Sequence, residues 1–154
     1  MTDILDTLHF FVPGKPRGQQ RPRFVRKLGI AFTPKESVNA MASVRHEFTA
    51  KYTGHVPVDY PVRLLVVAYF PMPKSRPKWF REHVWVHPTE YPQKPDWDNI
   101  GKLVADALNQ VAWRDDALVV SACVEKFYCW QGQAEPGIGV KVFPIAEPQK
   151  PEKP

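Results

Sequence analysis

The chain has 154 residues and a mass of 17.7 kDa, enough for one ordinary domain but not for two with full cores. An apolar fraction of 44% and a charged fraction of 24% exclude a disordered polypeptide. The longest apolar run, Leu64 to Phe70, is far short of the roughly 20 residues a membrane helix needs.

The N-terminal residues have no basic stretch leading into an apolar core, so no signal peptide is expected. Cys123 and Cys129 are too few for a disulfide scaffold. These features predict a cytoplasmic single domain, residues 1–146, followed by a proline-rich, disordered tail over 147–154.

Leu8 to Val12 reads as a first strand ending at Pro13-Gly14. Phe24-Val25 and Ile30 to Phe32 form a hairpin around a glycine turn. Thr33-Pro34 starts a helix, with Thr as cap and Pro in the first turn. Its stripe of Val38, Met41, Val44 and Phe48, with Ala42, runs towards Tyr52. Val62 to Phe70 is a central strand, 77–83 a short helix and Asp98 to Gln110 the second long helix. Ala117 to Trp130 and Ile138 to Phe143 are the last two strands. The order predicts an α+β, two-layer sandwich: a mixed β-sheet with two main helices on one face.

Charge is unevenly spread. Lys and Arg total 21 against 16 Asp and Glu, a net +5 with a pI near 9.3. Between Pro13 and Lys51 nine basic residues face two acidic ones, whereas between Pro95 and Asp116 five aspartates face Lys102 and Arg114. A basic stretch beside an acidic patch suggests a polyanion held on one surface and a metal at another. Arg17, Arg21 and Arg23 share a loop with Gln19 and Gln20, suited to phosphate contacts rather than base reading. Lys94, beside the acidic patch, suits guidance of a phosphate backbone. Trp79, Trp85, Trp97 and Trp113 flank charged segments, where packing competes with stacking on unpaired bases.

Projected on a helix from Asp98, residues Ile100, Leu103, Val104, Ala107, Leu108 and Val111 form one apolar face. Asp98, Lys102 and Asp106 make a ladder on the other side. Asp98 is the expected N-cap, and extended alternation sends Asp96 to the same side with Trp97 opposite. Paired carboxylates at such a junction suit Mg²⁺, which takes one or two carboxylates with water and phosphate oxygens. Asp115-Asp116 supplies a third carboxylate if the next strand lies beside this segment. Taken singly these residues are caps, ion pairs and turns; gathered, they repel unless a cation is bound. His83 and His87 have H-x₃-H spacing, but Cys123 and Cys129, six apart on one expected strand, are a poor match to known zinc spacings. No glycine-rich phosphate loop is present, so no nucleotide cofactor is expected.

The run Lys94-Pro-Asp-x-Asp-Asn-x-x-Lys102, then Asp106-Ala-Leu-Asn109 and Asp115-Asp116, resembles the core motif of RusA-type Holliday junction resolvases, small phage and prophage endonucleases. Gly14-Lys-Pro, Gln20-Arg-Pro-Arg23 and Thr33-Pro-Lys35 resemble the start of the same family. Trp97 departs from it where an aliphatic residue is usual, and Ala117-Leu118 where polar residues are.

The resemblance implies a homodimeric, Mg²⁺-dependent endonuclease, with Mn²⁺ as a substitute, that cuts four-way DNA junctions by paired symmetric nicks. It implies Asp96, Asp98 and Asp116 as catalytic metal ligands, with Asp115 the alternative third, and Lys102 as a catalytic lysine. Arg17, Arg21, Arg23 and Lys94 would contact nucleic acid. The rival readings are a flap or fork nuclease on the same scaffold and a non-catalytic DNA-binding module.

Overall fold

The computed structural model describes residues 7–83, 91–129 and 135–145. The strands are β1 (Leu8–Pro13), β2 (Arg23–Val25), β3 (Ile30–Phe32), β4 (Val62–Pro71), β5 (Val119–Cys129) and β6 (Gly137–Pro144). The helices are α1 (Lys35–Lys51), the short α2 (Lys78–His83) and α3 (Trp97–Leu108). A single 3₁₀ turn, Asp116–Leu118, leads into β5. The expected tail, with Trp85, His87 and Trp130, lies outside the described residues, as does the side chain of His83.

Four strands form one mixed sheet in the order β1-β6-β4-β5. β4 runs antiparallel to β6 and parallel to β5, and β1 closes the far side antiparallel to β6. Along β4 burial alternates: Val62, Leu64, Val66, Ala68 and Phe70 are buried, while the residues between them are not. The buried set, with Phe10, Val12, Ile138, Val140 and Val142, meets α1 and α3 on one face. This is the expected two-layer α+β architecture. β2 and β3 pair only with each other, as a separate hairpin.

α3 buries Ile100, Leu103, Val104, Ala107 and Leu108, the face expected from its period, each large side chain contributing about 1.5–3 kcal/mol. It starts at Trp97 rather than Asp98, so Asp96 and not Asp98 occupies the N-cap. Asp98 therefore lies in the first helical turn, and extended alternation does not set its direction. α1 differs from expectation in the same way. Pro34 itself is the N-cap, with no side-chain capping bond from Thr33. Val38 (47% exposed) and Ala42 face solvent, and Ser37, Val44 and Phe48 are the buried positions. Ser37 is buried because its hydroxyl accepts the Gln20 N–H at 2.9 Å, tying the basic loop to α1. Arg45 of α1 donates to the Ala107 carbonyl at 2.8 Å, satisfying the C-terminal end of α3.

Candidate active site

The segment before α3 is fixed from the sheet. Lys126 on β5 donates to the backbone carbonyls of Gln93 (3.0 Å) and Pro95 (3.1 Å), flanking the cis Lys94–Pro95 bond. Gly101 lets α3 lie close on β5, since a Cβ there would stand 2.9 Å from Val124 Cγ2. Asp96 has an extended backbone (φ −65°, ψ 148°) and its carboxylate caps no helical N–H. Instead it accepts from Lys94 Nζ at 2.8 Å. That hydrogen bond and the charge of Lys94, helped by Lys126, hold the Asp96 carboxyl below the usual carboxylate range. Partial burial pushes the Lys126 ammonium down, and the Asp96 charge pulls it back up.

The basic loop seats on the same helix start. Gln19 N–H donates to the Asn99 carbonyl at 2.8 Å. Gly18 passes so near Pro95 and Asn99 that a Cβ would meet them at 2.7 and 3.0 Å. Between loop and helix lies a cleft of about 450 Å³ lined by Lys15, Arg17, Gln19, Lys94, Asp96 and Asn99, among others. Arg17 pairs with Glu36 at 3.3 Å, which fixes it at the rim. Gln19 Oε1 is buried without a donor. Beyond this rim Arg21 and Arg23 are exposed and lead into the β2–β3 hairpin, where Phe24 (62%), Leu28 (68%) and Ile30 (51%) also face solvent.

The remaining acidic residues are placed differently. Lys102 pairs with Asp106 at 3.2 Å, not with Asp98, so only half of the expected ladder forms. Asp115 accepts the Ala117 N–H at 2.8 Å and caps the 3₁₀ turn. Asp116 accepts from the indole of fully buried Trp113 at 2.9 Å, a hydrogen bond that fixes its orientation. Of the tryptophans, Trp113 is core, whereas Trp79 (60%) and Trp97 (62%) are exposed.

α3 runs against β5 with its start beside Lys126 and its end near Trp113, so Asp96 and Asp116 lie at opposite ends of a 12-residue helix. At 1.5 Å per residue the helix between them is about 18 Å long. Accordingly, among the described residues no three His, Cys, Asp or Glu side chains form a group that would hold a metal ion. Lys94, not a second carboxylate, sits on Asp96. In donor type the aspartates fit a hard cation: they offer only oxygen, they are exposed, and the cleft adds the unpartnered Gln19 oxygen.

Lys126 is a site-building residue that the motif does not include; Asn99 stands in the motif without an assigned role, and Trp113 was weighed for packing and stacking but not for its hydrogen bond to Asp116. Lys126 carried a readable signal: it alternates with Val124 and Tyr128 on the core-facing side of its strand, where an unpaired charge is costly.

Taken together, the basic cleft, a lysine-held carboxylate at a helix start and an exposed cationic hairpin define a surface suited to a phosphodiester backbone. Comparison with known proteins makes the class definite: residues 13–143 match the family described as endodeoxyribonuclease RusA, DNA-cleaving hydrolases. The chain belongs to that family. It is also similar to YqaN of Bacillus subtilis (strain 168), an uncharacterized protein, with 32% identity over 144 residues, covering 85% of this chain and 94% of the relative.

Proposed function

We propose that this chain is a divalent-metal-dependent endonuclease that resolves four-way DNA junctions by paired symmetric nicks, acting as a homodimer. The observation that carries the reading is the cleft in which the basic loop, through Gln19 and Gly18, is bonded to the start of α3 beside Asp96. It brings phosphate-binding cations and a carboxylate to one opening.

Asp96 and Asp98 at the start of α3 would hold Mg²⁺ or Mn²⁺, which when bound polarises a phosphate and acidifies a water; Asp116, at the other end of that helix within one chain, would complete such a centre from the second protomer of the homodimer. The chain's own residues do the rest. Arg17, Arg21, Arg23 and Lys94 hold phosphates of the branched DNA. Lys126 keeps the Asp96 segment in place through two carbonyls. The Trp113 indole fixes the Asp116 carboxylate by its hydrogen bond. Lys102, held by Asp106, sets a positive charge one turn from Asp98 that offsets charge building on the phosphate. Attack by water in line with the 3′ oxygen breaks the P–O3′ bond; the proton ends on that oxygen, leaving 5′-phosphate and 3′-hydroxyl ends. Two-fold symmetry in the protein matches the pseudo-two-fold junction, one cut per protomer.

The test uses a synthetic mobile four-way junction, a flap and a linear duplex, each with Mg²⁺ and with EDTA. Paired nicks on the junction that vanish in EDTA are expected. Preferential flap cutting would reassign the substrate, and junction binding without any nicking would reduce the protein to a binding module.

A further inference from the structure

The β2–β3 hairpin stands apart from the core. Its strands pair only with each other and add to no larger sheet. Arg23 lies opposite Phe32, Phe24 opposite Ala31 and Val25 opposite Ile30. Side chains alternate along a strand, and opposed residues share a face. One face therefore carries Arg23, Val25, Ile30 and Phe32, and the other Phe24 and Ala31. Leu28 stands in the turn, its N–H donating to the Val25 carbonyl at 3.0 Å. Phe24 (62%), Leu28 (68%), Ile30 (51%) and Phe32 (45%) are all exposed, so both faces are left open. A two-stranded ribbon of this kind is marginal in water and gains from a surface to lie against.

Composition says what that surface is. Between Lys15 and Lys35 there is no Asp or Glu. Among the described residues Arg21, Arg23, Arg26 and Lys27 enter no ion pair, unlike Arg17, which Glu36 holds. A second copy of the same ribbon would be repelled and a polyanion attracted. The hairpin also grows out of the cleft. Gln19 is bonded to Asn99 at the start of α3, Gln20 to Ser37 on α1, and Arg21 follows at once. A nucleic-acid strand seated in the cleft continues onto the ribbon, whose arms of about 10 Å match the rise of about three stacked nucleotides.

Phosphates explain the cations but not four large apolar side chains. Those gain only from base faces, and in a continuous duplex every base face is covered by its neighbours. Opening a step there costs free energy, whereas at a branch point the stack is already broken.

We propose that the β2–β3 hairpin is the element that tells branched from linear DNA. Phe24 and Leu28, its two most exposed apolar side chains, rest on base faces unstacked at the branch. Arg23, Arg26 and Lys27 hold the phosphates to either side. The inference rests on the proposed function for its substrate and adds the part of the chain that selects it.

Binding in EDTA, where nothing is cut, provides the test. A four-way junction and a linear duplex are titrated with the wild type and with Phe24→Ala plus Leu28→Ala. Both positions are exposed, so the melting temperature should hold within a degree or two. Junction affinity should fall about tenfold and duplex affinity less than about twofold, while Phe24→Trp should bind the junction as the wild type does. Equal loss on both substrates, or no loss, would overturn the inference. So would a fall in mass by light scattering with DNA binding intact, which would make the apolar pair a protein contact.

A second measurement places 2-aminopurine, which brightens on leaving the base stack, at the branch or in mid-arm. Wild-type protein should raise its emission at the branch only, and the double variant should not. Should the wild type prove indifferent to branching, the proposed function loses its substrate. The same probe in a gapped duplex then still decides the hairpin's role: emission that the wild type and the double variant change alike would overturn it.

Discussion

The two edges of the sheet are treated in opposite ways. At β1 a tyrosine from α1 takes up the outward N–H and C=O of His9, and the strand has only 6 residues. At β5 the strand has 11 residues, four consecutive ones exposed, and its companions are charged: Lys126 near one end, Asp115 and Asp116 just before the other. An edge left open carries an aggregation risk that proteins ordinarily suppress. Among the described residues the long edge beside the acidic residues carries no further strand, whereas the short one has its outward groups at His9 taken up by Tyr52.

The largest effect is expected from Asp96→Asn. Cutting of a four-way junction should fall by about three orders of magnitude, in the range seen when a group at the reacting centre is lost. Junction binding measured in EDTA should persist or tighten, because one negative charge near phosphate is gone. A variant nicking at wild-type rate would remove Asp96 from the centre. Next comes the double substitution Val120→Lys with Ala122→Lys. Both positions are exposed, so the melting temperature should hold within a degree or two, while the mass by light scattering falls to that of one chain. Cutting should drop about a hundredfold at nanomolar protein and recover partly at high concentration. An unchanged mass would break the contrast between the two edges.

Lys126→Met removes two hydrogen bonds to the Asp96 segment while keeping the stem that lines α3. We expect kcat to fall about tenfold with junction affinity retained, and Lys126→Arg, which can still donate to both carbonyls, to restore most of it. A loss confined to thermal stability would make the lysine merely structural. Arg21→Ala with Arg23→Ala changes the exposed loop and the start of the β2–β3 hairpin rather than an edge strand of the main sheet. It should lower the slope of log affinity against log salt by about 2 and weaken binding to all DNA shapes alike. An unchanged slope would mean the loop is only solvated.

Most of the fold was legible in the sequence, for identifiable reasons. The apolar face of α3 and the alternation of β4 are set by burial, which leaves a direct periodic imprint. The hairpin turn was marked by Gly29, whose φ of +62° needs glycine's freedom. What was misplaced lies at helix starts. A cap is decided by competition for the side chain, and Lys94 draws the Asp96 carboxylate away from the helix N–H groups. For the site, the motif named the residue types, but a linear pattern cannot say that α3 holds Asp96 and Asp116 a helix length apart. Lys126 was passed over because its partners are main-chain carbonyls, which no motif records.

The smallest effect, and the one that sharpens the contrast between edges, is Tyr52→Phe. The ring stays packed on Phe48, at 5.2 Å between centroids, so only the hydroxyl and its two bonds to His9 are lost. Both bonds are exposed and water can replace them, which limits the cost to about 0.5–1.5 kcal/mol. For a chain of this size that is a drop of a few degrees in melting temperature. Cutting should be unchanged, because β1 lies at the far side of the sheet from β5. Light scattering at rising concentration gives the decisive reading. Chains that now associate beyond the wild-type mass would show that Tyr52 keeps β1 from pairing with another strand; an unchanged mass would mean that the shortness of β1 already protects it.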